Sequence, residues 1–294
     1  MNYQEFITLI EKEFSAKLGK QHFKFHQITK NNGVTYDGII IMKSDINISP
    51  LIYLVPYYER FSKGESLEKI CDDILDCYEM YQPKQDFDAT LYTDYKKAKK
   101  RIVYRLVNYE RNCELLKEVP HIRYLDFAII FYCLLSVSSK EQAGILIHNH
   151  HLSFWNIDTD TLFSHAKDNT PLLLPVHIED MAGVILSLMG PTGLSLADLN
   201  CPMYILTNKY RTNGATVLLY DSLLPELSNH FHSDLIIIPS SIHEVLILPI
   251  DQPCEPEVFR SMIAQVNETE LSGEEILSDN AYIYKKDEGT LMIY

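Results

Sequence analysis

The side chains that come closest to forming a metal site lie in the run His148-Asn149-His150-His151, which follows an apolar strand pattern. Residues two apart share one face of a strand, so His148 and His150 could hold one metal ion while His151 points elsewhere. A third ligand would have to come from another segment, and the candidates are His121, His165, His177 and Asp158. Because this spacing is not a dedicated metal motif, we favour the interpretation that these are polar residues at a strand-to-helix junction, and we expect no bound metal.

A second group of reactive side chains lies between two apolar strand patterns, in the loop from Pro239 to Glu244. The side chains of interest there are Ser240, Ser241, His243 and Glu244. Together they hold the functional groups of a serine hydrolase, but known catalytic triads are assembled from distant segments. The sequence also lacks the G-x-S-x-G elbow that exposes a nucleophilic serine. We therefore favour serines that bond to turn amides and a histidine that braces the loop, with catalysis as the alternative.

The third group is a cluster of cations in a chain whose net charge is −14. Residues 93–123 contain nine basic and four acidic side chains. The candidates for binding a partner are Lys96, Lys97, Lys100, Arg101 and Arg105, and Tyr95, Tyr104 and Tyr109 could offer stacking surfaces. The alternatives are a contact with nucleic acid or an acidic partner, and a solvated helix face that pairs with the protein's own acidic surface. We favour the second.

Composition and missing motifs exclude several classes of protein. The acidic balance argues against a protein that coats DNA or RNA, and no apolar window approaches the length of a membrane span. No phosphate-binding loop, dinucleotide fingerprint or C-x-x-C pair is present, so we expect no cofactor. The six dispersed cysteines and the lack of a visible signal peptide favour thiols in a reducing cytoplasm.

The elements that position these groups follow from the spacing of apolar residues. The N-terminal part reads as a helix, a hairpin around Asn31-Asn32-Gly33, and two further helices over 48–61 and from Ser66. A long basic helix is predicted over 93–117. Strands follow over 124–137 and 143–148, with short helices over 162–165 and 178–188.

The C-terminal part is predicted as two pairs of strands separated by a helix. The strands cover 203–206, 215–220, 235–239 and 244–249, and the helix covers 223–230. A helix over 256–266 and a weak edge hairpin over 282–294 complete the chain.

Several segments of the chain together resemble one family. They are Lys30-Asn31-Asn32-Gly33-Val34, Asn47-Ile48-Ser49-Pro50, Val107-Asn108-Tyr109-Glu110-Arg111-Asn112, Tyr124-Leu125-Asp126, Leu206-Thr207-Asn208-Lys209 and Ile238-Pro239-Ser240-Ser241-Ile242-His243-Glu244-Val245. The chain resembles, over nearly its whole length, a family of clostridial gut proteins known as domain of unknown function 5688. That resemblance implies no activity, cofactor or catalytic residue. The order of elements and the pattern Pro-x-x-x-His-Glu-Val-Leu-Ile-Leu over residues 239–248 are also similar, less closely, to an uncharacterised Firmicute family of the YtpQ type.

The sequence thus predicts an α+β protein with a small α-β-β-α-α module over 1–85, a connecting basic helix over 86–120, and a larger module over 121–294 with a mixed β-sheet and flanking helices. We expect a non-enzymatic cytoplasmic protein that acts by interaction or regulation, with another protein as its partner and no membrane contact. The alternatives are a histidine-containing hydrolase or metal-dependent enzyme, and contact with nucleic acid through residues 95–105.

Overall fold

A computed structural model describes residues 1–42, 47–83, 86–137, 142–184, 203–250 and 255–294. The helices are α1 (Tyr3–Leu18), α2 (Val55–Ser62), α3 (Leu67–Tyr81), α4 (Thr90–Thr93), α5 (Tyr95–Ala98), α6 (Cys113–Leu116), α7 (Asn149–Trp155), α8 (Thr159–Leu173), α9 (Leu223–Phe231) and α10 (Pro256–Thr269). The strands are β1 (Phe23–Thr29), β2 (Thr35–Ile41), β3 (Leu51–Tyr53), β4 (Ile102–Asn108), β5 (His121–Tyr124), β6 (Phe127–Val137), β7 (Gln142–Leu146), β8 (Val176–Asp180), β9 (Tyr204–Asn208), β10 (Asp234–Pro239), β11 (Val245–Ile250), β12 (Tyr282–Lys285) and β13 (Thr290–Ile293). Separate helical and strand regions confirm the α+β class.

The chain divides into two compact units, and the smaller one consists of residues 1–30 and 34–89. In it β1, β2 and β3 form an antiparallel sheet, and the buried side chains of α1 and α3 pack in one core with those of the sheet. Helix α1 begins with a capping box, in which Asn2 and Glu5 each bond to the backbone N–H of the other. The predicted first helix and hairpin are confirmed.

The larger unit consists of residues 31–33 and 90–294 and contains two sheets. The strand order is β13-β12-β10-β11-β9-β8 in one sheet, while β4, β5 and β7 belong with β6 in the other. The apolar faces of both sheets share one core, in which Tyr104, Phe127 and Tyr282 are fully buried. Every strand pair in the described ranges is antiparallel, so the predicted mixed sheet is wrong.

The predicted long basic helix over 93–117 is also wrong. Its centre is the strand β4, which pairs with β6 and is preceded by the short helices α4 and α5 and followed by a 3-10 turn and α6. Both faces of β4 are covered, so its apolar residues form a nearly continuous run that also fits helical spacing. Helix α5 ends at Ala98, which is fully buried.

Four shorter predictions change as well. Residues Leu51–Tyr53 pair with β2, so the helix predicted from Ile48 begins only at Val55. The helix predicted over 162–165 extends across Thr159–Leu173 and contains Pro171. The first residues of the helix predicted over 178–188 belong to β8, which ends at Asp180; residues 181–184 are helical, and residues 185–188 lie outside the described ranges. The apolar run over 215–220 forms most of a 3-10 helix, Gly214–Leu219.

Three segments approach one another closely at the start of this run. A Cβ atom at Gly214 would overlap the Thr207 hydroxyl and the His243 carbonyl oxygen, so only glycine fits between β9 and the 240–244 loop. The following 3-10 turns bury Ala215, Val217 and Leu218 in the shared core. Among the helices of the described residues, none has the length and apolarity needed to cross a bilayer.

Candidate partner-binding groove

The groove between α5 and the end of β6 collects four of the five predicted partner-binding cations. It has a volume of about 530 Å³. The cations that line it are Lys96, Lys97, Lys100 and Arg101, and its other lining residues are Leu91, Leu134, Leu135, Ser136, Val137 and Leu173. We call this site the basic groove. It combines a cluster of positive charges with aliphatic side chains.

Local hydrogen bonds position two of these cations. The Arg101 guanidinium donates from Nη1 to the carbonyl oxygens of Leu134 at 3.3 Å and Leu135 at 3.0 Å. The Lys97 ammonium donates to the Thr90 hydroxyl at 2.6 Å. Asp94 starts α5 by accepting a hydrogen bond from the backbone N–H of Lys96. The N-cap of α5 therefore fixes the helix that carries the lysines, and the end of β6 fixes Arg101.

The four cations of the groove form no ion pair with the acidic side chains that the structure describes. In the described part of the chain, no Asp or Glu forms an ion pair with Lys96, Lys97, Lys100 or Arg101. Asp94 is the nearest carboxylate in sequence, and it contacts backbone rather than an ammonium group. The internal pairing that we favoured from the sequence is therefore not seen at the groove among the described residues.

The fifth predicted cation, Arg105, does not belong to the groove. It lies on β4, and its guanidinium stacks 3.8 Å from the centre of the Tyr132 ring. Burial lowers the pKa of Arg105. A long stem and a planar head let arginine pack against a ring inside a sheet, so Arg105 serves packing rather than surface recognition.

The tyrosines that could have offered stacking surfaces also lie elsewhere. Tyr104 is buried in the core, and its hydroxyl donates to the Leu219 carbonyl oxygen at 3.4 Å. Tyr95 packs against Trp155, and Tyr109 lies beneath the Arg123 guanidinium. None of the described residues that line the basic groove is aromatic.

The histidine run forms a cluster, but not with the strand geometry predicted for it. His148 is the N-cap of α7, so the run begins a helix, and the His151 ring reaches back to accept the His148 backbone N–H at 2.9 Å. The ring centroids of His150 and His151 lie 4.0 Å apart, and those of His148 and His150 lie 5.5 Å apart. His151 also stacks on Trp155 and meets the edge of Tyr92.

Burial and the two neighbouring imidazoles lower the pKa of His151 to about 4. The proposed third metal ligands do not join this cluster. His121 bonds to the Val119 carbonyl oxygen, His165 packs near Tyr95, His177 bonds to Glu179, and Asp158 caps α8. Across the described ranges, no three His, Cys, Asp or Glu side chains are arranged to hold a metal ion.

The loop from Ser240 to Glu244 joins β10 to β11, and its polar groups contact backbone. The Ser241 hydroxyl accepts the His243 N–H at 3.0 Å, and the His243 Nδ1 accepts the Asn213 N–H at 3.1 Å. The nearest carboxylate to His243 Nε2 is Glu275, at 3.9 Å, rather than Glu244. No hydrogen bond joins Ser240 or Ser241 to the imidazole within the described residues. These contacts brace the loop and do not form a nucleophile–base pair.

A buried polar network that the sequence analysis missed holds the segment 273–282. Asp126 accepts hydrogen bonds from Tyr282 at 2.6 Å, Ser278 at 2.7 Å and Asn280 at 3.0 Å. Nearby, the Asn32 amide donates to the carbonyl oxygens of Gly273 and Ile276, and Asn112 donates to the Asn32 side chain. The sequence did contain a sign of this network, because three of the segments that carry the family resemblance contain Asn32, Asn112 and Asp126.

No curated protein and no solved structure matches this chain. The similarity to the YtpQ type stays a prediction. Residues 3–286 match a family described as "Family of unknown function (DUF5688)", which confirms the first resemblance over nearly the full length. The chain therefore belongs to DUF5688, a family of unknown function.

Proposed function

We propose that this protein is a non-enzymatic cytoplasmic interaction protein, whose basic groove binds an acidic segment of a partner protein. The observation that supports the proposal is a set of four cations around an aliphatic groove, none of which pairs with a carboxylate of the described residues. Charges of one sign in a depression attract ligands of the opposite sign and raise the association rate. An acidic segment supplies the charges that the groove lacks.

The aliphatic lining favours a polypeptide over nucleic acid. Proteins that bind single strands combine a positive groove with aromatic rings on which bases stack. The groove instead presents Leu91, Leu134, Leu135 and Leu173, which suit aliphatic side chains. We therefore infer a segment in which acidic residues alternate with leucine-like residues.

The hydrolase and metal alternatives have less support. His243 and Ser241 use their side-chain acceptors on backbone N–H groups, and His151 uses its Nδ1 in the same way. Cys71, Cys77, Cys113 and Cys133 are free thiols, in line with a reducing compartment.

Fluorescence anisotropy of a labelled peptide of alternating Glu and Leu tests the proposal. We expect binding that weakens at least tenfold between about 50 mM and about 300 mM NaCl, because added salt screens exposed charges. The variant Lys96→Glu/Lys100→Glu should weaken binding at low salt by tenfold or more. The matched control is Lys63→Glu/Lys209→Glu, which changes net charge equally at exposed lysines outside the groove.

Equal loss in both double variants would mean that only net charge matters, and the groove would not be the site. A labelled oligouridine strand provides the second comparison. Tighter binding of the RNA than of the peptide would overturn the assignment of a protein partner.

A further inference from the structure

Strand β8 ends the six-stranded sheet of the described residues, and half of its backbone groups face away from β9. The N–H of Lys209 donates to the Pro175 carbonyl oxygen at 2.8 Å, and the N–H of Met181 donates to the Met203 carbonyl oxygen at 2.9 Å. In an antiparallel pair, residues that bond to the neighbour alternate with residues that do not. The backbone groups of Val176, Ile178 and Asp180 therefore point outward from the edge.

Two of these three residues, Val176 and Ile178, carry apolar side chains on one face of the strand. Val176 pairs with Asn208 and Ile178 with Leu206, whose side chain is in the shared core. Yet Val176 is 39% exposed and Ile178 is 40% exposed. Strand β8 contains no lysine, proline or bulge, and its charged residues Glu179 and Asp180 lie at its C-terminal end, away from Val176.

A cavity of about 430 Å³ adjoins this edge on the same face. Val176 forms part of its wall, together with Pro171, Leu219 and Leu223. Its volume falls within the range of pockets that bind small organic groups. Among the described residues none bonds to the outward backbone groups of this edge, so the edge and the cavity beside it match what strand addition needs, which is available backbone groups and an adjacent side-chain pocket.

The charges of the cavity indicate one basic side chain in the ligand. The Lys167 ammonium lies 2.9 Å from an Asp221 carboxylate oxygen, so these two lining charges neutralise each other. Glu226, in the first turn of α9, also lines the cavity, and no cation of the described residues pairs with it. On the opposite face of β8, Glu179 is already held by His177 and Arg211.

We propose that β8 binds an extended segment of a partner protein as an added strand. The segment places one apolar side chain in the cavity and, two residues away on the same face, a lysine or arginine near Glu226. This site is separate from the basic groove and has the opposite charge preference.

The blocked peptide acetyl-Thr-Leu-Thr-Lys-Thr-amide is the probe, since its Leu and Lys share a face in a strand. Hydrogen exchange should show at least fivefold slower exchange at Ile178 and Asp180 when the peptide is added at about 1 mM to the full chain. The variant Ile178→Pro removes an outward N–H and no bond to β9, so it should abolish this protection. The matched control is Ile178→Thr, which keeps the N–H and should retain it.

A second variant keeps the test decisive if the proline perturbs folding. Glu226→Lys leaves β8 intact and should weaken binding of the peptide about tenfold, while replacing the peptide lysine with glutamate should restore binding to that variant. No protection at the edge in the wild-type protein, or equal binding of both peptides by Glu226→Lys, would overturn the proposal.

Discussion

The cluster around His151 predicts a loss of stability in mild acid that one substitution removes. In the folded chain the pKa of His151 is lowered from 6.5 to about 4, by burial first and by His150 and His148 next. The unfolded chain therefore takes up a proton at a pH where the folded chain does not. The contribution of neutral His151 to the stability of the folded chain is therefore complete above pH 6.5 and is lost as the pH falls toward 4.

The size of this effect follows from the pKa difference. Each unit corresponds to about 1.4 kcal/mol, which sets an upper limit of about 3 kcal/mol over the whole range. Because the ring is only partly buried, solvent screening lowers the part lost between pH 7.5 and pH 5 to about 1 kcal/mol. Trp155, the single tryptophan of the chain, stacks on His151 and reports unfolding by its fluorescence.

The test compares urea unfolding of the wild-type protein and His151→Gln at both pH values. Glutamine at this helix position can still accept the N-cap N–H, as in a capping box, but cannot titrate. The free energy of unfolding of the variant should fall by about 1 kcal/mol less than that of the wild type. The exposed residue His230 provides the control, His230→Gln, which should follow the wild type. Parallel curves for wild type and His151→Gln would refute the reasoning.

Two further substitutions test the packing of the larger unit. Gly214→Ala should lower the free energy of unfolding by about 3 kcal/mol in thermal denaturation, because its methyl group would overlap Thr207 and the His243 carbonyl oxygen. Gly183→Ala is its control, because no atom of the described residues lies within 4 Å of the added methyl group; similar losses in both variants would show that the close approach is not the cause. Tyr282→Phe should cost about 1–3 kcal/mol, since it leaves Asp126 short of a buried donor. Tyr284→Phe removes a hydroxyl that makes no hydrogen bond within the described residues and should cost below about 0.5 kcal/mol.

The sequence predicted elements best where one face of an element is buried. Helix α1 and the hairpin of β1 and β2 have clear amphipathic patterns, and α9 and α10 begin and end near their predicted bounds. The helix prediction was wrong at β4 because both faces of this strand are covered, so its apolar residues do not alternate with polar ones. Arg105 added a charge that the sequence analysis assigned to a helix surface, although its guanidinium stacks on Tyr132. Burial of that guanidinium depends on Tyr132, which only the sheet brings beside it.

The candidate site was predictable in its charges and not in its surroundings. Lys96, Lys97, Lys100 and Arg101 stand out as a basic run in an acidic chain. The leucines that complete the groove come from α4, β6 and α8, and nothing in the spacing of aliphatic residues marks them as a binding surface. The prediction that His148 and His150 share one face of a strand was wrong for a local reason, because the strand ends at Leu146 and a helix begins at Asn149.

Because residues 31–33 belong to the larger unit, the chain cannot be divided into its two units by a single cut. A cut after residue 89 leaves a fragment 90–294 without Asn32, whose side chain contacts Asn112, Gly273 and Ile276. Three residues thus make the larger unit discontinuous in sequence. During synthesis the N-terminal part must emerge first, and the larger unit completes its asparagine contacts only with a turn that was made more than 200 residues earlier.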